Sequence, residues 1–431
     1  MKILLFTPAM LASAIGRVSN LVIVELSQQG HEVVVVRTED PALFEEPTRL
    51  FPCQMVPWSN TEQVRQLADE SALIVYQVGN HYAYHRGGIE WLTTLPGIVC
   101  LHDNFLGHLF WSWSDRIGRP QALELLTKLY GPDVAHRFFD HGSSESFIAY
   151  AGQAAPMTEW ITSMATGVIV HSSWAMDRIT RACPGPVAVV PLPYDAPFLE
   201  VGELKVQPAN NQELIVLTIG HVNSNKRYAS VIEAIGASPL LRQRMSFRIV
   251  GAVDPSVEQE LSALADSLNV KVAITGAVDD RKLADEIHHA DIMSCLRWPA
   301  LEAASASTIE SMLYGKPTVV TNTGFYRDLP DDCVLKISPD AELNDLRAAL
   351  ERLVLSQQER TALGERACQY AVRTFRADNY AQHIVSMKRQ VDRSRIVSAV
   401  ANVFSNTLKR WGAKGGPVIL EAIASPLELI R

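Results

Sequence analysis

Two acidic residues, Glu302 and Glu310, stand eight positions apart in LEAASASTIESMLYGKP, residues 301–317. Two readings of the pair compete. Ser307-x-x-Glu310 has the form of a capping box, in which the Ser side chain accepts from a backbone N–H and Glu reaches back. The helix then runs to Tyr314, stops at Gly315 and has Pro317 beyond it, so that Glu310 is structural. Were the whole segment helical, the two carboxylates would lie roughly 80° apart around it and about 12 Å apart along it, which suits no shared proton. Proline in RWPAL (297–301) disfavours helix, however, and puts Glu302 in the loop ahead. A loop acid beside the free N–H groups of a helix start makes a polar mouth. The N–H groups around Ser305, Ala306 and Ser307 suit a phosphate, and the acids suit sugar hydroxyls.

Other residues of this kind stand at strand ends. GIVCLHD (97–103) puts His102 and Asp103 at the carboxyl end of a β-rich run, and Asn80 ends another, ALIVYQVGN. Both positions face the cleft of a parallel α/β sheet, where ligands bind. His171 after GVIV is a weaker member of the same set. A core or capping histidine is the rival for His102. Lys226 and Arg227 follow LTIGHVNSN, where a solvated turn before a helix is the bland reading. His81 and His85 are four apart, as a helical metal pair is, but no third ligand is visible. No metal is expected.

The elements that must position these residues are legible from periodicity. KILLFT (2–7), HEVVVV (31–36), ALIVYQVG (72–79), GIVCLHD and GVIVHS (167–172) are apolar on both faces, as strands covered by helices are. Between the first two runs a helix opens near Gly16 and stops at Gly30, completing a βαβ unit. A second series follows the Pro-rich passage 183–198: LIVLTIG (214–220), SFRIVG (246–251), VKVAITG (270–276), DIMSCL (291–296) and PTVVTN (317–322). The expected fold class is therefore α/β, with two doubly wound Rossmann-like domains facing across a cleft and C-terminal helices. The domains are 1–200, 201–375 and a returning helix with a basic tail, 376–431. Residues 104–160 read as an irregular, aromatic-rich insertion. Residues 396–411 carry an apolar face, and 388–431 hold eight Lys or Arg against three Asp or Glu. Docking on the protein or on a partner domain is the plainer use of that face, and contact with anionic lipid the sharper one.

Bulk properties exclude several classes. The chain has 431 residues, 47% hydrophobic and 20% charged, which describes a folded protein of about two domains. A net charge of -8 gives no nucleic-acid footprint. Six dispersed cysteines without Cys-x-x-Cys point to reduced thiols and a cytoplasmic setting. The apolar run at the amino terminus is too short for a signal peptide, and no stretch is long enough to span a membrane. Gly-x-Gly-x-x-Gly is missing after the first strand, and Gly315-Lys316 lacks the Walker context, which argues against a dinucleotide-dependent dehydrogenase or an ATPase. No Asp-x-Asp occurs to bridge a metal to a sugar nucleotide.

CLRWPALEAASASTIESMLYGKPTVVTNTG (295–324) resembles the Glu-x7-Glu signature of the family 4 retaining glycosyltransferases, and LTIGHVNSNKRYASVIEAI resembles that family's phosphate-binding element. The layout over residues 1–390 resembles its GT-B fold. The resemblance implies metal-independent transfer of a sugar from a nucleotide-diphosphate donor to a saccharide or lipid-linked acceptor in polysaccharide or glycoconjugate assembly, with configuration retained and no cofactor. By position it implies that Glu310 holds the donor ribose, Glu302 lies by the donor sugar, and Ser305, Ala306 and Ser307 lie by the diphosphate with Lys226. His221 stands where the family has an arginine, so Arg227 is a candidate to share the charge. His102 would lie against the transferred sugar, with Asp103 and Asn80 on the acceptor or sugar side. Gly16 would let backbone approach the phosphate. A cytoplasmic enzyme follows, peripheral at the inner membrane face if the tail meets lipid. A sugar-nucleotide epimerase or hydrolase on the same fold, and a noncatalytic sugar-nucleotide-binding partner, are the rivals.

Overall fold

The computed structural model describes residues 1–196 and 213–410, and of residues 395–409 the backbone alone. The expected domain boundary near residue 200, the apolar face of 396–411 and the tail beyond it lie outside the described residues or side chains. Seven parallel strands build the first sheet: β1 (Lys2–Thr7), β2 (Glu32–Arg37), β3 (Gln54–Pro57), β4 (Leu73–Val78), β5 (Ile98–Leu101), β6 (Gly167–Val170) and β7 (Val187–Val189). Their order is β3-β2-β1-β4-β5-β6-β7. Six more parallel strands build the second: β8 (Leu214–Ile219), β9 (Met245–Val250), β10 (Val272–Ile274), β11 (Ile292–Cys295), β12 (Thr318–Thr321) and β13 (Leu335–Ile337), in the order β10-β9-β8-β11-β12-β13.

Each sheet is wound outward in both directions from an inner strand, so strand order reverses at β1/β4 and at β8/β11. Ligands bind at the carboxyl ends of strands at such reversals. The three strands that periodicity did not anticipate, β3, β7 and β13, are edge strands of three or four residues. An edge strand is covered on fewer sides and carries a weaker apolar signal than a central one.

The alternation of β1 divides the first domain's core. Leu4 and Phe6 pack on one side with Tyr76 and Ile89. Ile3 and Leu5 pack on the other with Val22 and Ile23 of the first helix, Ala14–Gln28. On that side Tyr380, Ile384 and Met387 complete the cluster, all from the last helix, Ala377–Arg410. The chain thus returns to its first domain, as the resemblance implied. Residues 104–160 are not irregular. They form five helices, from Gly107–Ile117 to Thr158–Thr162. The aromatic residues that obscured their helical period make a shared core, with Phe110 edge-on to Trp160 at 5.1 Å and Trp113 tilted against Trp160 at 4.6 Å.

Backbone joins the two domains directly. His102 O accepts from Ala303 N at 2.8 Å and Leu301 O accepts from Asn104 N at 2.8 Å, so Asp103 and Glu302 form an antiparallel bridge. Ser172 Oγ donates to Ala303 O at 2.9 Å beside it.

Candidate active site

A cavity of about 590 Å³ opens between the domains at both strand-order reversals. It is lined from the first domain by Ser13–Ile15, Asn80, His102 and Asp103, and from the second by Gly220, Lys226, Arg297, Glu302, Ser305–Ser307 and Glu310. Of the residues singled out from the sequence, His102, Lys226, Glu302, Ser305, Ala306, Ser307, Glu310, Asn80 and Asp103 share this one space.

The helix that closes the cavity, Ala306–Leu313, is capped by Ser305, whose Oγ accepts from Thr308 N at 3.4 Å. Of the two competing readings, the capping box at Ser307 and Glu310 is therefore absent. Ser307 is already inside the helix, and its Oγ bonds Ser305 Oγ at 3.1 Å and accepts from Arg297 Nη2 at 3.3 Å. Glu310 does not reach back along the helix. Its Oε2 accepts from Tyr194 OH at 3.5 Å, and its Oε1 lies 4.0 Å from Arg17 Nη1. Burial pushes this carboxyl up to about 7, against the pull of Arg17.

Lys226 reaches the cavity through a turn that follows β8. It is only 7% exposed, and its ammonium donates to Ile219 O at 3.3 Å. Burial pushes it down to about 7, with Arg297 acting in the same direction and Glu302 against it. Gly220 makes the turn at φ 95°, where a side chain is strained, and a Cβ there would come within 2.6 Å of Lys226 Nζ. Only glycine fits both demands.

Arg297 escaped the sequence reading. It follows β11, its side chain is 4% exposed, and its Nε lies 3.2 Å from Glu302 Oε2 while Nη1 donates to Leu296 O at 2.8 Å. Although burial works against its charge, Glu302 holds it protonated. Arg17 and Tyr194 also escaped. Arg17 donates to Tyr194 OH at 3.2 Å and to Asp195 Oδ1 at 3.0 Å, and its guanidinium lies 4.7 Å over the Tyr194 ring. This chain of contacts joins the first helix, the interdomain segment and Glu310. An arginine beside an apolar strand end (SCLRW) is the one signal that marks Arg297. Arg17, in an ordinary amphipathic helix, carries none.

Three donor-side expectations find other surroundings. Arg227 is tied to Glu342, with Nε 2.9 Å from Oε1 and Nη2 2.8 Å from the same oxygen, and it does not line the cavity. The positive charge beside Lys226 comes from Arg297 instead. His221 is exposed and lines no part of the cavity. Gly16 lies behind the lining, where a Cβ would come within 2.7 Å of Pro8 O, so its smallness serves helix packing. Ser13, which caps that helix by accepting from Gly16 N at 3.1 Å, is the residue that faces the cavity.

On the opposite wall His102 Nε2 lies 2.6 Å from Gln77 Oε1, and its ring is 4.9 Å from that of His171. Burial, then His171, holds it well below the usual histidine range, so a neutral imidazole faces the cavity. His171 is buried behind it and bonds Val190 O at 3.1 Å through Nδ1. Asp103 Oδ2 accepts from Asn80 N at 2.8 Å, and burial pushes the carboxyl up to about 7, with Glu302 adding to the effect. Asn80 Oδ1 in turn accepts from Leu109 N at 3.0 Å. His85 Nε2 accepts from Gly79 N at 3.1 Å, while its Nδ1 has no partner. Among the described residues no three His, Cys, Asp or Glu side chains are placed to hold a metal, no cysteine is in a disulfide, and no helix is long and apolar enough to cross a membrane.

Residues 203–370 match the family model of the group 1 glycosyl transferases. No curated protein matches the chain. Solved structures with the same fold include a sucrose-phosphate synthase from Thermosynechococcus elongatus (TM-score 0.60, 16% identity, 91% of this chain and 99% of that one). A glycosyltransferase from Rickettsia africae aligns with TM-score 0.59 and 13% identity over 90% and 98% of the two chains. Anabaena HepE, in complex with UDP and glucose, aligns with TM-score 0.55 and 15% identity over 91% and 99%.

Proposed function

We propose, from a second domain that matches the group 1 glycosyl transferase model in a chain of GT-B fold, a retaining transferase that moves a sugar from a nucleotide-diphosphate donor to a saccharide or lipid-linked hydroxyl, without a metal. The observation that carries this reading is the pairing of Lys226 and Arg297 with the amino terminus of helix Ala306–Leu313 on one cavity wall, while Glu310 stands one turn further along that helix. Two cations and free N–H groups suit a diphosphate, and a buried carboxylate suits the two hydroxyls of a ribose.

The chemistry follows from where charge develops. As the bond from the anomeric carbon to the diphosphate oxygen breaks, its electron pair leaves with the nucleoside diphosphate. Lys226, Arg297 and the helix N–H groups stabilise that charge where it appears. The wall opposite offers the neutral His102 ring and Asp103, which is tied to Asn80. Neither is a free carboxylate poised for attack from behind. The acceptor oxygen therefore bonds the anomeric carbon on the face that the diphosphate leaves, and its proton passes to a departing phosphate oxygen. Configuration is retained. Glu302, held by Arg297, is left to contact donor-sugar hydroxyls.

A thermal-shift screen with nucleoside diphosphates and nucleotide sugars tests the donor, beginning with UDP because HepE binds it. A ligand-specific rise that Glu310→Ala abolishes supports the reading, since a ligand that binds only the folded state stabilises it by mass action. Turnover of the same nucleotide sugar without any acceptor would point to an epimerase or hydrolase. Binding with no transfer to any acceptor pool would point to a noncatalytic role. No rise with any nucleotide would sink the proposal.

A further inference from the structure

Three adjacent strands of the first sheet, β4, β5 and β6, bring polar side chains together behind the cavity wall. Gln77 on β4 is in register with Cys100 on β5. His102 stands two positions beyond Cys100, and alternation along an extended chain puts both on one face. Gln77 therefore reaches His102 diagonally, with Oε1 2.6 Å from Nε2. From the other side the His171 ring, just past β6, lies 4.9 Å from that of His102. Tyr380 of the last helix covers His171, with the two rings 5.7 Å apart. Gln77, His171 and Tyr380 are buried and none of them lines the cavity. Of this group only His102 does.

The two nitrogens of the His102 ring have different surroundings. An amide carbonyl oxygen can only accept, so the contact with Gln77 requires a proton on Nε2. Nδ1 makes no hydrogen bond with any described residue, and it is not one of the buried atoms that lack a partner. It is therefore open to the cavity that the ring lines. Burial and His171 keep the ring uncharged, so there is one proton to place and Gln77 places it. His171 cannot substitute, because its Nδ1 is committed to Val190 O and its Nε2 is sealed in the interior.

We propose that Gln77 is a positioning residue, which holds His102 as the Nε2–H tautomer and leaves the Nδ1 lone pair facing the cavity. The ring then accepts a hydrogen bond from a ligand hydroxyl and has no proton to offer a departing phosphate. That this hydroxyl belongs to the donor sugar rests on the donor reading above. The tautomer itself follows from Gln77 and does not depend on that reading. Without the Gln77 carbonyl, no described residue holds the proton on Nε2, and Nδ1 competes for it.

Nitrogen NMR of the full chain with isotopically labelled histidine tests the tautomer, with His102→Asn used to assign the signals. In the parent, Nε2 is expected as a protonated, pyrrole-like nitrogen and Nδ1 as an unprotonated, pyridine-like one. Gln77→Met, of similar length, is expected to move both toward intermediate values as the tautomers mix. A proton on Nδ1 in the parent overturns the proposal, and that measurement needs no variant of Gln77 to fold. A parent-like spectrum in folded Gln77→Met overturns it as well. Calorimetric titration with UDP-glucose and with UDP reads the consequence for binding. Gln77→Met is expected to weaken UDP-glucose about fivefold, the scale of one net hydrogen bond, and to leave UDP unchanged. Equal weakening of the two ligands counts against a sugar-facing Nδ1, since damage to the cleft as a whole would do the same. If neither ligand binds the parent, the donor reading fails, and the nitrogen spectrum still decides the tautomer.

Discussion

Arg297 lies beneath Glu302, with Nε 3.2 Å from Glu302 Oε2 and Nη2 3.3 Å from Ser307 Oγ, so one guanidinium ties the loop acid to the helix that it precedes. Arg297→Gln removes the charge and keeps some hydrogen bonding. It is expected to lower stability by about 1–3 kcal/mol, since Glu302 retains partial access to water and the full cost of a deeply buried orphan charge does not apply. Urea unfolding measures this. The same change should also weaken nucleoside-diphosphate affinity, whereas Arg227→Gln, which breaks a pair outside the cavity, should leave that affinity near its parent value.

Lys226→Ala is expected to slow transfer by about 10²–10³-fold, the scale for removing one group that stabilises developing charge. Single-turnover rates against donor concentration distinguish a chemical effect from a binding one. An unchanged rate would remove Lys226 from the reaction.

The position of the lysine near 7 in the free protein also sets a pH dependence. A diphosphate favours the charged amine, so binding raises its pKa and the complex takes up protons above pH 7. Donor affinity should therefore fall as pH rises from 7, until the pKa of the bound state is passed. Calorimetric titration in buffers of different ionisation enthalpy reads the proton uptake, which Lys226→Met should abolish.

Asp103 gives a stability signature of defined sign. Its folded pKa of about 7 exceeds the ordinary aspartate value of 3.8, so between these limits the folded state holds more protons than the unfolded one. The contribution is favourable below the lower limit and is lost as pH rises through 7. Parent protein should lose melting temperature between pH 5 and pH 8 relative to Asp103→Asn, which has no carboxyl to ionise. Equal slopes for the two proteins would contradict this.

Metal removal is the remaining check. With charge met by Lys226, Arg297 and helix N–H groups, EDTA is expected to leave transfer within about twofold of its untreated rate. Loss of activity restored by a divalent cation would overturn the metal-free mechanism.

What could be seen in advance follows from what local sequence encodes. Glu302, Glu310 and Lys226 lie in segments whose turn residues and apolar runs fix nearby backbone, and all three meet in the cavity. Arg17 and Tyr194 are 177 positions apart and reach Glu310 only because the first helix and the interdomain segment pack together. No local pattern carries such a contact. The rival capping reading fails for a related reason. Ser305 and Ser307 are both acceptable caps by residue type, and it is Ser305 that caps while Ser307, inside the helix, accepts from Arg297. Arg227 looked available because its partner Glu342 is 115 residues away. The insertion at 104–160 was obscured by its aromatics, which are buried among five helices instead of along one face.

The bridge between Asp103 and Glu302 also bears on time. Separating the domains along that seam breaks the bonds from Ala303 to His102, from Asn104 and Phe105 to Leu301, from Ser172 to Ala303 and the two from Ser173 to Asp328. At about 1 kcal/mol net for each, the parted state would hold well under about 0.1% of molecules. Substrates that need a wider mouth must then wait for a rare opening, and a spent nucleotide must wait for the next one. An opening that these seam bonds hold rare would cap turnover however fast the glycosidic bond breaks.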